Sequence, residues 1–341
     1  MDDNSTHFPV GKLPHDFLGR LLERYTISSP DVIVGASIGE DAAVIDIGDK
    51  YLLAKTDPIT FVTEEIGFYA ININANDIAC MGGVPRWFLA TLLLPEGKTT
   101  EESVENIFSQ LSDACQSVNV SLCGGHTEIT SGIDRPIVVG QMLGEAARDQ
   151  LVRTGNAQEG DDVLLTKGIA IEGASIIARE KYEELSETFS EQLAEQAKGF
   201  LHDPGISVLK DARLAAGING LHAMHDPTEG GLAVGLYELA RASGKGLRIE
   251  MDMIEILPEC KLLCDFYGLD PLGLIASGAL LLTCTPSVSH SLLDRYEQYQ
   301  ISASKIGKIM PPDHGLKIIG FDGEEGDLPY FAQDEIVKIF T

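Results

Sequence analysis

Asn76-Asp77-Ile78-Ala79-Cys80-Met81-Gly82-Gly83-Val84-Pro85 places a carboxamide and a carboxylate in an apolar segment that Gly82-Gly83-Val84-Pro85 then stops. The segment closes a helix predicted over 64–81, which also carries Asn72 and Asn74. Two stretches upstream set acids beside apolar runs in the same way: Gly39-Glu40-Asp41-Ala42-Ala43-Val44-Ile45 and Lys55-Thr56-Asp57. Carboxylates at the ends of apolar segments are costly unless they are paired or bind cations. Asp and Glu oxygens are the natural ligands of hard divalent ions such as Mg2+. The pattern points to an acidic cluster for Mg2+ and phosphate chemistry.

Working outward, residues 14–25 read as an amphipathic helix. Strands are expected at 42–44 and 51–54, joined by a turn over 46–50. A strand over 87–94 and a helix over 99–118 follow, the helix capped by Thr99 or Thr100 with acids in its first turn. A short strand at 120–123 enters a turn at Gly124-Gly125, and 137–143 is the next strand. The polar, Gly-containing stretch 148–160 marks a boundary, giving domains 1–150 and 151–341. The second domain is expected to hold strands at 162–166, 247–249, 278–284 and 303–309. Its helices are expected within 175–200, 208–216, 230–243 and 287–299, with a strand and loop around 222–227. The class is α/β (α+β) with two domains, as 341 residues demand.

Apolar residues make up 44% of the chain and aromatics only 6%, so the cores rest on Ile, Leu, Val and Ala. A net charge of -27 argues against nucleic acid as a partner, because phosphate backbones select basic surfaces. No apolar run is as long as a membrane span. Met1-Asp2-Asp3-Asn4 lacks the basic and apolar regions of a signal peptide, so a cytoplasmic protein is expected. Six cysteines are too sparse for a disulfide framework, and no His or Cys group at zinc spacing accompanies Cys260 and Cys264, which are helical neighbours. Buried free thiols are expected.

Neither a P-loop, a strand-borne G-x-G-x-x-G nor a G-x-S-x-G elbow is present. The remaining motifs occur together in a recognisable order: Gly39 to Val44, Thr56-Asp57, Asn76 to Pro85, Cys123-Gly124-Gly125-His126-Thr127-Glu128 and His225-Asp226-Pro227-Thr228-Glu229-Gly230-Gly231-Leu232. They resemble the aminoimidazole ribonucleotide (AIR) synthetase superfamily from about Lys12 to Ile309. That superfamily includes thiamine-monophosphate kinase, selenophosphate synthetase and the hydrogenase maturation factor HypE. The resemblance implies an N-terminal domain that dimerises through its strands, a C-terminal α/β domain, and ATP held through Mg2+ by carboxylates. Position by position it implies Glu40, Asp41, Asp57, Asp77, Asp226 and Glu229 as metal acids. It implies Thr56, Gly124, Gly125, His126, Arg153 and Thr228 as nucleotide contacts, with Gly124-Gly125 the close-approach turn. Taken singly, Asn76-Asp77 also reads as a solvated helix face and Thr228 as a helix cap.

Met224 to Ala233 and Gly268-Leu269-Asp270-Pro271-Leu272 resemble the hydrogenase maturation branch most closely. The chain departs from it at Glu128, where a lysine is expected, at Ser277, where an acid is expected, and in lacking a terminal cysteine. Dehydration of a carbamoyl group on its own tail is therefore not expected. The expected function is an ATP-dependent enzyme that phosphorylates a small-molecule or carbamoyl-type acceptor. A thiamine-monophosphate kinase-like activity and a non-catalytic nucleotide-binding partner in hydrogenase maturation are the alternatives.

Overall fold

The computed structural model describes residues 7–340, so the expectations for Met1-Asp2-Asp3-Asn4 and the terminal Thr341 lie outside the described residues. The first half runs α1 (His15–Tyr25), β1 (Val32–Val34), β2 (Ala43–Asp46), β3 (Tyr51–Ile59), α2 (Ile66–Cys80), β4 (Val84–Pro95), α3 (Glu101–Ser117), β5 (Ser121–Thr130) and β6 (Ile137–Ala146). The second runs β7 (Asp162–Thr166), α4 (Ile171–Glu180), α5 (Tyr182–Thr188), α6 (Glu191–Gly199), α7 (Leu209–Ala215), β8 (Leu221–His225), α8 (Gly231–Ser243), β9 (Gly246–Glu250) and α9 (Pro258–Tyr267). It ends with β10 (Leu281–Cys284), α10 (Pro286–Gln298), β11 (Ala303–Met310), β12 (Leu316–Ile319), β13 (Glu325–Asp327) and α11 (Val337–Phe340). Two sheets result, ordered β1-β2-β3-β6-β4-β5 and β13-β12-β9-β11-β7-β10-β8. This is the expected mixed α/β, two-domain fold.

The period-two alternation of strands sorts the first sheet into two faces. On the inner face, Phe88, Ala90, Leu92 and Leu94 of β4 are buried, and α2 and α3 pack on this side. Burying those four side chains supplies roughly 1–3 kcal/mol each at the larger residues. The outer face carries Leu89, Leu93, Val139 and Leu143, only partly buried, and an exposed Trp87.

α2 is buried almost all round, because its far side meets α7 and β8 of the second half. Its carboxamides are therefore not solvated. Asn74 Oδ1 accepts from the Asp57 backbone N–H at 2.9 Å. Asn76 Nδ2 donates to the Ile206 carbonyl at 2.8 Å and its Oδ1 accepts from Val208 N–H at 2.8 Å, tying the two halves together. Gly82 ends the helix at φ +72°, where a Cβ would stand 2.1 Å from the Gln150 carbonyl oxygen. Thr100 caps α3 in a reciprocal pair with Ser103.

Three local expectations fail. Gly124-Gly125 is not a turn: β5 runs straight through it for ten residues. Gly125 is needed there because a Cβ would fall 1.9 Å from the Ala90 carbonyl oxygen of β4. Thr228 makes no side-chain cap on α8, whose N-cap is Gly230. Five cysteines are buried as expected, but Cys123, on the edge strand β5, is exposed.

Candidate functional site

A cavity of about 570 Å3 opens between the two halves. Three residues spaced i, i+4, i+8 on α2 line it: Tyr69, Ile73 and Asp77. Eight residues at 1.5 Å each put Tyr69 and Asp77 about 12 Å apart, so the cleft has two ends.

At the Asp77 end, Lys55 and Asp57 point inward from β3, two residues apart on one face. Lys55 Nζ stands 2.9 Å from Asp77 and 3.3 Å from Asp57. Burial opposes the Lys55 charge, but the Asp77 and Asp57 carboxylates outweigh it and hold the ammonium well above its ordinary pKa. Asp77 is driven up by burial despite Lys55, with Asp57 and Asp226 adding to the rise. A second lysine reaches in from the N-terminal segment: Lys12 Nζ lies 3.4 Å from Thr228 Oγ1 and 3.3 Å from Glu238, and its backbone N–H donates to Glu229 at 3.0 Å.

Behind this end lies a buried polar network. His225 Nδ1 is 2.6 Å from Asp41 and its Nε2 is 3.1 Å from Glu238. Burial disfavours the imidazolium, yet these two carboxylates raise His225 well above the ordinary histidine value. The Cys80 thiol donates to Asp226 Oδ1 at 3.4 Å, and burial pushes Asp226 up to about 7. Glu40 receives Arg153 at 2.8 Å. Glu40 Oε2, Asp77 Oδ2 and Asp226 Oδ2 are buried without a hydrogen-bond partner among the described residues. Orphaned carboxylate oxygens of this kind fit cations.

The other end is apolar, walled by Ile59, Val62, Ile176 and Ile275. Its polar groups are the Glu172 carboxylate, which accepts from the Ser277 backbone N–H at 3.1 Å, and the buried Tyr69 hydroxyl and Ser277 Oγ, neither of which has a hydrogen-bond partner within range among the described residues. Burial pushes the Glu172 carboxyl up to about 7.

Of the residues expected from sequence, the structure gathers Glu40, Asp41, Asp57, Asp77, Arg153, Asp226, Thr228 and Glu229 around the boundary between the halves. Thr56 is on the outer face of β3, donating to the Gly140 carbonyl at 2.8 Å. Gly124, Gly125 and His126 sit on β5, three strands from β3 in the sheet order and about 14 Å away within the chain. His126 there pairs with Glu128 at 3.1 Å, both exposed. Lys12, Lys55, His225, Glu238, Cys80 and Glu172 join the site beyond the residues expected from sequence. Lys55 was legible as an i, i+2 partner of Asp57. Glu172 and Glu238 carry no local signal, because only the tertiary fold brings them to the cleft.

Residues 39–146 match the N-terminal domain of AIR synthase related proteins, and residues 158–318 match the C-terminal domain. The chain belongs to the AIR synthase related family. A protein of Methanocaldococcus jannaschii named for hydrogenase expression/formation is 30% identical over 267 residues, 77% of this chain and 76% of its own. The carbamoyl dehydratase HypE of Rhizobium leguminosarum bv. viciae is 27% identical over 286 residues, covering 81% and 78%. Among solved structures, the hydrogenase maturation protein HypE in complex with ATP superposes with a TM-score of 0.69 at 20% identity, covering 94% of this chain and 96% of that one. At that identity the likeness is one of fold. It accords with the two-domain α/β fold expected of an AIR synthase related protein.

Proposed function

We propose that this AIR synthase related chain is an ATP-dependent enzyme that binds Mg2+-nucleotide at the Asp57–Asp77 end of the cleft and phosphorylates an acceptor seated at the Glu172 end. The observation that carries this reading is the ion pair of the inward Lys55 with Asp77, whose second oxygen, Oδ2, is buried without a hydrogen-bond partner among the described residues. Asp57 and Asp77, with Glu40, Asp41, Asp226 and Glu229 around them, would hold Mg2+. The ion supplies neutralisation of charge on phosphoryl oxygens, the main demand of phosphoryl transfer. Lys55 and Lys12 are placed to donate to phosphate oxygens, and Asn74 fixes the backbone at Asp57. At the far end, the apolar walls exclude water. There the Glu172 carboxylate is the group able to take a proton from the acceptor nucleophile, since its raised pKa makes it a better base than an ordinary glutamate.

The acceptor is read as a separate small molecule, carbamoyl-type compounds included. The only exposed cysteine among the described residues, Cys123, lies on the edge strand of the first sheet. The relatives' names support hydrogenase maturation proteins as partners. The outer face of the first sheet, with Trp87 37% exposed beside Leu89, Leu93 and Leu143, supports a homodimer. Pairing there could bring the partner subunit's β5 motif toward the cleft that its own chain leaves distant. No helix among the described residues is long and apolar enough to cross a membrane, in keeping with a cytoplasmic enzyme.

Calorimetric titration with Mg-ATP tests the nucleotide site: Asp77→Asn, nearly isosteric, weakens binding about 100-fold or more if one phosphate-bound cation loses its ligand. Unchanged affinity refutes the assignment. Mass spectrometry of reactions with labelled ATP and a panel of acceptors then separates an enzyme from a binding partner. Light scattering at micromolar concentration reads the dimer, and a monomer there rejects it.

A further inference from the structure

We infer that the acceptor seated at the Glu172 end is an uncharged molecule with a branched apolar body and a hydroxyl as its nucleophile, and that phosphate esters and carboxylates are turned away. This substrate class rests on the phosphoryl-transfer reading above and narrows it for the same site.

Charge excludes anions. Among the described residues, the lysine and arginine side chains lining the cleft are Lys12 and Lys55 alone, both at the Asp77 end, where carboxylates already hold them. The cation of α4, Arg179, does not line the cavity. Its terminal nitrogens donate to the Ser175 carbonyl at 3.0 Å, the Lys198 carbonyl at 2.8 Å and Glu65 at 3.0 Å. An anionic acceptor would lie without a counter-ion beside Glu172, itself only 2% exposed. A buried charge without a partner is costly, and a like charge beside it adds to the cost.

Hydrogen-bonding capacity favours a neutral head group. Tyr69 Oη and Ser277 Oγ belong to residues 1% and 0% exposed, and neither has a hydrogen-bond partner among the described residues. Buried hydroxyls left unmet are uncommon, so two of them facing one apolar space point to a ligand. Glu172 accepts from the Ser277 backbone N–H through Oε2, and a carboxylate has lone pairs for more. A ligand hydroxyl meets all three, donating to Glu172 and accepting from Tyr69 or Ser277. Ile59, Val62, Ile176 and Ile275 suit the branched body around it.

Proton handling separates a hydroxyl from a carboxamide. A carboxamide attacks through an oxygen that carries no proton, whereas a hydroxyl must lose one, and Glu172 is the base placed to take it. The hydroxyl oxygen bonds to the γ-phosphorus of Mg-ATP. The bond from that phosphorus to the bridging oxygen breaks, and ADP leaves with the electron pair. The hydroxyl proton passes to Glu172 and then to solvent.

The probes are one branched body with four head groups: isopentanol, isovaleramide, isovalerate and isopentyl phosphate. Ligand-observed NMR on the full-length protein, without nucleotide, measures the affinity of each. Isopentanol is expected to bind at least about 10-fold more tightly than either anion. An anion that binds as tightly, isovaleramide binding more tightly, or no measurable binding of isopentanol overturns the inference. Tyr69→Phe gives a second reading. Losing a buried hydroxyl that has no partner should leave Tm unchanged or raise it, while isopentanol binding weakens about 5-fold. Unchanged affinity in that variant rejects the seat whatever the Tm, and Ser277→Ala carries the same test should Tyr69→Phe fail to fold. Selective binding of isopentanol with no transfer of label from ATP would break the phosphoryl-transfer reading and leave the uncharged seat standing. An anion bound at this end, with transfer from ATP intact, would sink the substrate class alone.

Discussion

The two ends of the cleft use buried carboxylates in opposite ways. At the Asp77 end, acids crowd together and are answered by Lys55 and by Lys12, with three carboxylate oxygens left without a partner among the described residues. At the far end Glu172 sits among isoleucines and accepts from the Ser277 backbone N–H, with no lysine or arginine salt bridge to it among the described residues. Both environments raise carboxyl pKa values by burial, yet one holds a charged lattice and the other an acid poised near neutrality. Burial alone therefore does not define a catalytic group; what surrounds it divides cation binding from proton handling.

The largest expected effect comes from Lys55→Met. Removing one partner of a buried ion pair costs about 3–5 kcal/mol, so urea denaturation should show a loss of that order at pH 7, together with lost Mg-ATP binding. A loss under about 1 kcal/mol would mean that Lys55 does not organise the acidic end.

Glu172 titrates in the opposite sense to a paired acid. Its folded pKa, about 7, lies above the model-peptide 4.5, so the native state binds more protons than the unfolded state between those values. Stability contributed by this group is present below pH 4.5 and falls as pH rises toward 7, by about 3 kcal/mol across the window. Glu172→Gln should flatten that part of the stability–pH profile. An unchanged profile would place Glu172 in a wetter setting than the apolar walls imply.

Asn76→Ala leaves both ends chemically intact but strips the Ile206 carbonyl and Val208 N–H of their partner. Two unsatisfied backbone groups predict a loss of about 2 kcal/mol, read as a lower Tm. The smallest effect on stability belongs to Asp57→Asn, under about 1 kcal/mol because Asp57 is only partly buried. Its Mg-ATP affinity should nevertheless drop. A variant that binds Mg-ATP as well as the wild type would confine the cation to Asp77.

The acidic end was legible because its residues recur as local strings: Glu40-Asp41, Thr56-Asp57 and Asn76-Asp77 each place a costly side chain at a strand or helix end. The far end was not. Tyr69 is nearly isolated in an apolar helix, Glu172 begins an unremarkable one, and Ser277 reads as the loss of an acid. Only packing α4 against the Ala276–Gly278 loop places a carboxylate beside that serine. Gly124-Gly125 misled for a related reason. A double glycine signals a turn locally, whereas here the missing Cβ serves a close approach of two parallel strands. Thr56 misled because its neighbours on either side face the cleft, and strand alternation turns it away.

α2 has a further consequence. One face of this helix belongs to the first sheet's core and the other abuts α7 and β8, with Asn76 hydrogen-bonded across the boundary. Neither half can lose its packing without baring a side of the same helix. Heating should therefore produce one calorimetric transition with equal van't Hoff and calorimetric enthalpies, and either half expressed alone should gain the other's company before it gains a sharp melt.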